Sequence, residues 1–371
     1  MKKIAKIIIT EQAIPYQKNG SWSQRLEYFL KSDQNVIDYF ICGETNQSLN
    51  TTTTFYREKQ VQSKWRLKFF PNTRYQHYTN RLEQLVNQHS HAIVCVVDNV
   101  KLMLAVSECI EQKKLKNKVT LLFYCCGHSY LLDDNLQKKF VKNCDEFIFL
   151  TKKAYAFNKE RYDEFIPEVT ILNNPIEKNT YKPISVAEKE TLLQKHQLTG
   201  KKVFLWLSHD RPKKGLSIVL NVWKDSEKLQ NEAVLLVVGA KRNESIKGVQ
   251  FVGQVPNDEV VAYYQLAHVY LFPTLWKEGF GLSLAQAICS GCYSIAADNG
   301  GVSDFFTSKD GVLLTEPNVV SHWVTSMEMA LEEVASGWEN KEAGNQILDY
   351  PEWSQQFAAI FTKWERRFQN Q

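Results

Sequence analysis

The chain alternates short, nearly continuous apolar runs with longer segments of helical periodicity. Apolar runs without polar alternation are typical of parallel strands that are buried on both faces. The pattern therefore predicts an α/β protein with two sets of parallel strands, each covered by helices. The predicted strands are residues 4–10, 36–41, 92–97, 119–125, 146–151 and 169–172 in the first half, and 202–207, 233–238, 249–252, 269–272, 293–296 and 311–314 in the second.

A polar segment with two prolines, residues 173–183, separates the two sets of strands. With 371 residues, the chain is long for one hydrophobic core, so we predict an N-terminal domain of residues 1–182 and a C-terminal domain of residues 183–349. Residues 350–371 carry Trp353, Phe357, Phe361 and Trp364 at helical spacing. This stripe predicts a C-terminal helix that packs back towards the first domain.

Composition and charge narrow the class of protein. The chain is 44% hydrophobic and 23% charged, with a net charge of +4 that does not by itself imply nucleic acid. The charge is uneven, because residues 1–180 carry 26 Lys and Arg against 19 Asp and Glu, and the remainder carries 19 against 22. The sequence shows neither a spanning apolar run nor a signal-peptide pattern, so we expect a cytoplasmic protein with reduced cysteines.

The stretch 57–81 has seven basic residues and one acid, interleaved with aromatic residues. Such a stretch suits an anionic membrane surface, and it equally suits a solvated helix with one buried face. Single-stranded nucleic acid is the weaker third alternative, and we predict no nucleic-acid partner. If the membrane alternative holds, the protein is peripheral on the inner face of the cytoplasmic membrane.

The loop between the predicted strand 269–272 and the helix at 282–290 contains Glu278 with Gly279 and Gly281. The carboxyl end of a strand and the N-terminus of a helix form the usual ligand position in an open α/β sheet. Glycines let backbone amides approach a ligand closely, and a carboxylate accepts hydrogen bonds from hydroxyls. The loop therefore suits a ligand that is both anionic and polyhydroxylated, such as a nucleotide-sugar.

A basic turn follows the predicted strand 202–207 and contains Arg211, Lys213 and Lys214. Fixed cations beside helix amides stabilise the charge of a departing diphosphate without a metal ion. The sequence has no Asp-x-Asp motif, which favours metal independence, and no G-x-G-x-x-G, which argues against NAD or FAD. We therefore predict no metal and no cofactor.

Several motifs resemble retaining glycosyltransferases of the GT-B fold, in the group usually called family 4. They are Glu278-Gly279-Phe280-Gly281-Leu282, the glycine-rich segments 290–296 and 299–304, the basic element 208–215 and the segment 171–176. The resemblance implies two doubly wound Rossmann-like domains facing across a cleft. It also implies transfer of a hexosyl unit, with retention, from a nucleotide diphosphate sugar to a glycan or glycolipid. UDP is the favoured nucleotide and GDP the next, and the expected setting is cell-envelope polysaccharide or lipopolysaccharide synthesis.

The resemblance also assigns roles to single residues. Glu278 would hold hydroxyls of the donor hexose, while Arg211 and Lys214 would hold the diphosphate. His128 would touch the donor sugar, and Gln286 stands where the family has a second Glu that holds ribose hydroxyls. The other predicted binding residues are Gly20, Ser208, Lys213, Gly279, Phe280, Gly281 and Leu282.

Two other functions remain open at this point. One is a sugar-nucleotide epimerase on the same fold, which would need acids and bases around the sugar. The other is a non-catalytic homologue that binds a glycan or a partner protein. Gln286 in place of Glu, and the single Gly20 where the family often has two glycines, are the features that favour the non-catalytic alternative.

Overall fold

The structure is a computed structural model, and it describes residues 3–16, 21–60, 64–69, 71–129, 134–162 and 164–369. The chain forms two compact units. Unit 1 contains the described residues up to Pro175 together with those from Tyr350 onward, and unit 2 comprises Ile176–Asp349. The first boundary precedes the predicted one at residue 182. The reason is that Ile176 forms a bridge with Asp349, and the ring of Tyr181 packs 5.8 Å from that of Tyr264 inside unit 2.

Unit 1 is built on a seven-stranded parallel sheet in the order β3-β2-β1-β4-β5-β6-β7. Its strands are β1 (Ala5–Ala13), β2 (Tyr39–Gly43), β3 (Thr54–Glu58), β4 (Ala92–Val97), β5 (Val119–Tyr124), β6 (Glu146–Phe149) and β7 (Glu168–Ile171). Its helices are α1 (Ser21–Lys31), α2 (Lys64–Phe69), α3 (Gln76–Gln88), α4 (Val100–Gln112), α5 (Asp134–Asn143) and α6 (Lys152–Lys159), with short 3₁₀ turns at Pro71–Tyr75 and Lys116–Lys118. The order reverses between β1 and β4, as in doubly wound folds.

The C-terminal helix α13 (Tyr350–Gln369) completes unit 1. Its apolar stripe is buried, and Phe357 packs edge-on against Phe29 of α1 with ring centroids 5.0 Å apart. Lys363 donates to the fully buried carboxylate of Glu146 at 2.7 Å. The helix therefore contributes both apolar surface and the cation that compensates a buried charge.

Unit 2 contains a six-stranded parallel sheet in the order β10-β9-β8-β11-β12-β13. Its strands are β8 (Lys202–Leu207), β9 (Ala233–Val238), β10 (Val249–Gly253), β11 (Val269–Phe272), β12 (Tyr293–Ala297) and β13 (Gly311–Leu314). Its helices are α7 (Val186–Lys195), α8 (Leu216–Asp225), α9 (Glu227–Glu232), α10 (Val260–Leu266), α11 (Leu282–Cys289) and α12 (Val320–Ala335), with 3₁₀ turns at Pro212–Lys214 and Gly301–Asp304. The order reverses between β8 and β11.

The two parallel sheets confirm the predicted fold class, and the largest error of the sequence prediction is one missed strand. β3 was not predicted, because its sequence is polar and its side chains are only partly buried at the edge of the sheet. The second predicted strand was placed too early, at 36–41, whereas β2 begins at Tyr39. The remaining differences are shifts of element ends by a few residues.

Candidate active site

The candidate site in unit 2 lies at the C-terminal ends of β8 and β11. These strands are hydrogen-bonded neighbours at the point where the strand order reverses. A topological switch point leaves a crevice between the loops that follow the two strands, and ligands bind there in open α/β sheets. The loops are residues 208–215 after β8 and residues 273–281 after β11. The two predicted motifs therefore meet at one place, although 64 residues separate Lys214 from Glu278.

Lys214 and Glu278 are in direct contact. The Lys214 ammonium donates to Glu278 Oε1 at 2.6 Å, and Thr274 Oγ1 donates to the same oxygen at 2.9 Å. The indole Nε1 of Trp206, a buried residue of β8, donates to the Lys214 carbonyl at 3.2 Å. The cation and the carboxylate are thus held side by side, so one ligand with hydroxyl and phosphate groups can reach both.

The backbone around Glu278 is fixed by the loop that follows β12. Glu278 N donates to Asn299 O at 3.1 Å, and Gly301 N donates to Glu278 O at 2.9 Å. Asn299 Nδ2 also donates to Thr274 O at 2.9 Å. Gly300 allows the two loops to approach each other this closely, because a Cβ on residue 300 would lie only 2.2 Å from Glu278 O. These contacts preorganise the carboxylate, which limits the entropy that a ligand must remove.

Gly215 sets the position of the basic turn. It adopts φ 71°, and a Cβ on it would lie 1.9 Å from the carbonyl oxygen of Pro273 in the other loop. Only glycine permits this left-handed conformation and this contact together. Gly215 ends the 3₁₀ turn Pro212–Lys214 and begins α8, so it brings Lys214 towards the loop after β11.

The N-terminus of α11 supplies backbone donors beside Glu278. Gly281 caps the helix with φ 99°, and the first turn carries no acidic side chain. The first amides of a helix have no intrahelical acceptor and attract anions. Phe280 is 2% exposed, and its ring packs at a tilt against that of Phe305 with ring centroids 4.5 Å apart. Its side chain therefore anchors the loop in the core, while the backbone from Gly279 to Leu282 remains the predicted ligand contact.

The other predicted cations differ in their surroundings. Lys213 lies over the ring of Trp276, with its ammonium 4.2 Å from the ring centroid. Arg211 is exposed, and its guanidinium has no hydrogen-bond partner within the described part of the chain. Ser208 donates its backbone N–H to Val238 O at 3.1 Å and is partly buried. The cation fixed beside Glu278 is therefore Lys214.

Gln286 lies on the second turn of α11 and is partly buried. The hydroxyl of Tyr264, itself fully buried, donates to Gln286 Oε1 at 3.3 Å. The acceptor oxygen that Gln shares with Glu is therefore already used by a protein group. The ribose role predicted for Gln286 remains a prediction.

Two predicted residues belong to unit 1. His128 follows β5 and is buried; its ring lies 5.1 Å from that of Phe157, and its carbonyl accepts from Asn158 Nδ2 at 2.9 Å. Gly20 lies outside the described residues. The sequence analysis missed Thr274, Asn299 and Trp276, although Thr274 and Trp276 lie in the loop that drew attention to Glu278.

Residues 188–341 match the family model described as Glycosyl transferases group 1. Phosphatidyl-myo-inositol mannosyltransferase of Mycobacterium leprae is 29% identical over 107 residues, which cover 27% of this chain and 29% of that protein. 2-Deoxystreptamine N-acetyl-D-glucosaminyltransferase of Niallia circulans is 26% identical over 232 residues, covering 57% of this chain and 59% of that protein. Each match thus spans less than two thirds of the relative.

Solved structures resemble the whole fold. Sucrose-phosphate synthase from Thermosynechococcus elongatus superposes with a TM-score of 0.72 at 13% identity, covering 97% of this chain and 98% of that one. Anabaena HepE in complex with UDP gives a TM-score of 0.72 at 14% identity, covering 96% and 100%. The fold is that of GT-B glycosyltransferases. The segment of the second unit at residues 188–341 is similar to group 1 glycosyl transferases, and this match covers less than half of the chain. The similarity and the fold both agree with the resemblance stated from the sequence.

Proposed function

We propose that the protein is a retaining hexosyltransferase that uses a nucleotide diphosphate sugar and glycosylates a glycan or glycolipid. The observation that carries this proposal is the Lys214–Glu278 pair at the switch point of unit 2. Glu278 would accept hydrogen bonds from donor hydroxyls, and Lys214 with the α11 amides would stabilise the departing diphosphate. UDP is the favoured nucleotide, in keeping with the UDP bound to HepE, a protein of the same fold.

Nucleotide binding tests the donor site first. Thermal unfolding would be followed with UDP, GDP, ADP, CMP and dTDP for the wild-type protein and for Lys214→Ala. Lys224→Ala, which removes the same charge at an exposed pair with Glu244 in the same unit, is the matched control. A ligand at 100 times its Kd stabilises the folded state by about 2.7 kcal/mol.

We expect one nucleoside diphosphate to raise the Tm of the wild-type protein and of Lys224→Ala by several degrees, and to act weakly on Lys214→Ala. If the wild-type protein responds to none of the five nucleotides, the donor site is wrong. The non-catalytic alternative then becomes the better one.

Acceptor-dependent nucleotide release separates the transferase from the two alternatives. An epimerase keeps the sugar on the nucleotide or releases it without an acceptor, and a binding protein releases nothing. The names of the two relatives, which act on phosphatidyl-myo-inositol and 2-deoxystreptamine, support hydroxylated acceptors. Retention rests on the resemblance to the family, and metal independence rests on the absence of an Asp-x-Asp motif from the sequence. The anomeric proton of the product in NMR tests retention, and transfer in the presence of EDTA tests metal independence.

We also propose that α2 contacts an anionic membrane surface. Trp65 and Phe69 of α2 are 79% and 59% exposed, and Lys68 beside them is exposed as well. In contrast, Tyr75 and Tyr78 of the same basic stretch are buried in the core of unit 1. No helix within the described ranges is both long and apolar enough to cross a bilayer. An exposed aromatic pair beside a lysine would therefore supply surface attachment.

Co-sedimentation with vesicles tests this contact. The wild-type protein should bind vesicles that contain 30% phosphatidylglycerol more strongly than pure phosphatidylcholine, and Trp65→Ser/Phe69→Ser should lose the difference. Trp276→Ser, which removes an exposed tryptophan from unit 2, is the control. Equal sedimentation of the wild-type protein and the double variant would show that α2 is a solvated helix.

A further inference from the structure

A groove of about 500 Å³ lies among the helices of unit 1, between the 3₁₀ turn Pro71–Tyr75, α3 and α4. This α3–α4 groove falls within the range of about 300–1,000 Å³ that is usual for small-ligand sites. On α4 its lining runs from Ala105 to Lys113, whereas α4 begins after β4, where the strand order of unit 1 reverses. At a rise of about 1.5 Å per residue, this lining lies about 8–20 Å along the helix from that point. The groove is therefore separate from the switch-point crevice of the sheet.

The walls of the α3–α4 groove carry neutral polar side chains. Asn80 of α3 is exposed, and its carboxamide has no hydrogen bond to any residue that the structure describes. Gln112 of α4 donates from Nε2 to Glu108 Oε1 at 3.3 Å, so its own carboxamide oxygen is left for a ligand. The hydroxyl of Thr79 donates to Gln76 O at 3.1 Å and keeps its acceptor capacity. The walls thus offer both donors and acceptors without a net charge.

The charged residues of the groove favour a neutral ligand. Among the described residues that line it, the charged ones are Glu108 and Lys113, and Lys113 already pairs with Glu83 of α3 at 3.0 Å. An anionic ligand would therefore have to compete for its cation. An acyl chain would remove water from the carboxamides without replacing their hydrogen bonds. A polyol avoids both penalties, because each of its hydroxyls donates and accepts.

An exposed aromatic ring adds the second kind of surface that a sugar needs. Phe69 of α2 lines the groove and is 59% exposed, and its ring is held edge-on by that of Trp65 with centroids 5.3 Å apart. The small side chains of Ala105 and Cys109 complete the apolar part of the lining. A pyranose presents one C–H face that packs on such a ring, while its hydroxyls point outwards to polar groups. The lining of the groove combines these two features.

We propose that the α3–α4 groove binds the sugar units of a neutral glycan, either a free oligosaccharide or the headgroup of a glycolipid. Asn80 and Gln112 hydrogen-bond its hydroxyls, and Phe69 packs on one of its rings. The inference goes beyond the proposed function, because it does not use the Lys214–Glu278 pair. A glycan bound here stays on the protein whether or not a nucleotide is present.

Blocking the groove tests the inference. Asn80→Trp places an indole in the groove. Asn87→Trp is the matched control, since Asn87 is exposed about two turns further along α3 and is not among the described residues that line the groove. Saturation-transfer NMR would give the Kd of maltotriose, mannotriose and N-acetylchitotriose, with trigalacturonic acid as the anionic comparison. Co-sedimentation would use phosphatidylcholine vesicles with and without 30% digalactosyl diacylglycerol. The Tm of each variant, with and without UDP, is recorded as well.

We expect at least one neutral trisaccharide to bind the wild-type protein and Asn87→Trp equally, and Asn80→Trp roughly tenfold more weakly, because the indole occupies its place. Gln112→Ala removes one hydrogen-bonding group, so it should weaken binding about three- to tenfold. Binding that is confined to the galactolipid vesicles, and lost in Asn80→Trp, would support the groove as a site for a headgroup.

Three results would overturn the inference. They are a wild-type protein that binds neither the neutral trisaccharides nor the galactolipid, equal binding by Asn80→Trp and Asn87→Trp, and tighter binding of trigalacturonic acid than of every neutral probe. The UDP thermal shift should be the same in the wild-type protein and Asn80→Trp. If UDP shifts neither, the proposed function fails, while glycan binding that Asn80→Trp abolishes would still support the groove.

Discussion

The contact between Lys214 and Glu278 predicts a measurable coupling in the protein without ligand. Lys214→Met removes the ammonium but keeps an unbranched side chain, and Glu278→Gln keeps the shape of the carboxylate without its charge. The two single variants and the double variant form a thermodynamic cycle. The cycle isolates the interaction between the two side chains from whatever else each substitution changes.

The size of the coupling follows from the geometry. The two atoms are 2.6 Å apart, and the side chains are 25% and 16% exposed. Charge-assisted hydrogen bonds contribute about 1.5–3 kcal/mol when they are buried, whereas exposed ion pairs contribute about 0.2–1 kcal/mol. A partly buried pair should lie between these limits, so we expect a coupling of about 1–2 kcal/mol. For a unit of this size, that free energy corresponds to a loss of roughly 2–8 °C in Tm.

The assay is urea denaturation at pH 7, followed by circular dichroism and intrinsic tryptophan fluorescence. Lys309 and Glu342 provide a matched control, because their atoms are also 2.6 Å apart in unit 2 while their side chains are 63% and 60% exposed. The cycle Lys309→Met/Glu342→Gln should give less than about 0.5 kcal/mol. If the coupling between Lys214 and Glu278 does not exceed that of the control, burial does not strengthen the pair, and the reasoning for a preorganised site fails.

Three further predictions concern single positions. Gly215→Ala should destabilise unit 2 by more than ~3 kcal/mol in urea denaturation, because the added Cβ would overlap Pro273 O. Gly200→Ala is the control, since Gly200 has a similar φ of 72° but open space around it, and it should destabilise by about 1–2 kcal/mol. Arg211→Ala should leave the free energy of unfolding in urea within about 0.5 kcal/mol of wild type. If the guanidinium contacts the diphosphate, the variant should bind UDP roughly tenfold more weakly by titration; an unchanged affinity removes Arg211 from the site. Burial lowers the pKa of His268 to about 3, so the unfolded chain binds the extra proton and stability falls as the pH drops below about 6.5. At pH 5, wild type should lose about 1–2 kcal/mol more than His268→Asn, and parallel losses would refute the assignment.

The sequence predicted the sheets well because parallel strands buried on both faces are apolar throughout, as in β9 and β12. The missed strand β3 shows that an apolar run does not identify every strand of the sheet. An edge strand needs only one covered face and one partner, so the polar sequence Thr54–Glu58 forms a strand through its pairing with β2. Such pairing depends on the neighbouring strand and is not encoded in local hydrophobicity.

The candidate site was predictable as two separate motifs but not as one contact. Glu278 and Lys214 were recognisable from their residue types beside strands and glycines. Their direct hydrogen bond depends on the adjacency of β8 and β11, which requires the strand order. Thr274 and Asn299 could not be assigned for the same reason, because hydroxyl and amide side chains are common in loops and only tertiary contacts reveal their partner.

The helix α13 has a consequence for the order in which the protein can form during synthesis. Unit 2 is encoded by one uninterrupted segment, Ile176–Asp349, whereas unit 1 needs residues from both ends of the chain. Phe29 and Glu146 lack their α13 partners, Phe357 and Lys363, until α13 has left the ribosome. Unit 1 therefore completes its fold after unit 2, although most of its residues are translated earlier. A nascent chain that stops at residue 349 would contain a complete unit 2 and an incomplete unit 1, in which an apolar face is uncovered and the buried carboxylate lacks its cation.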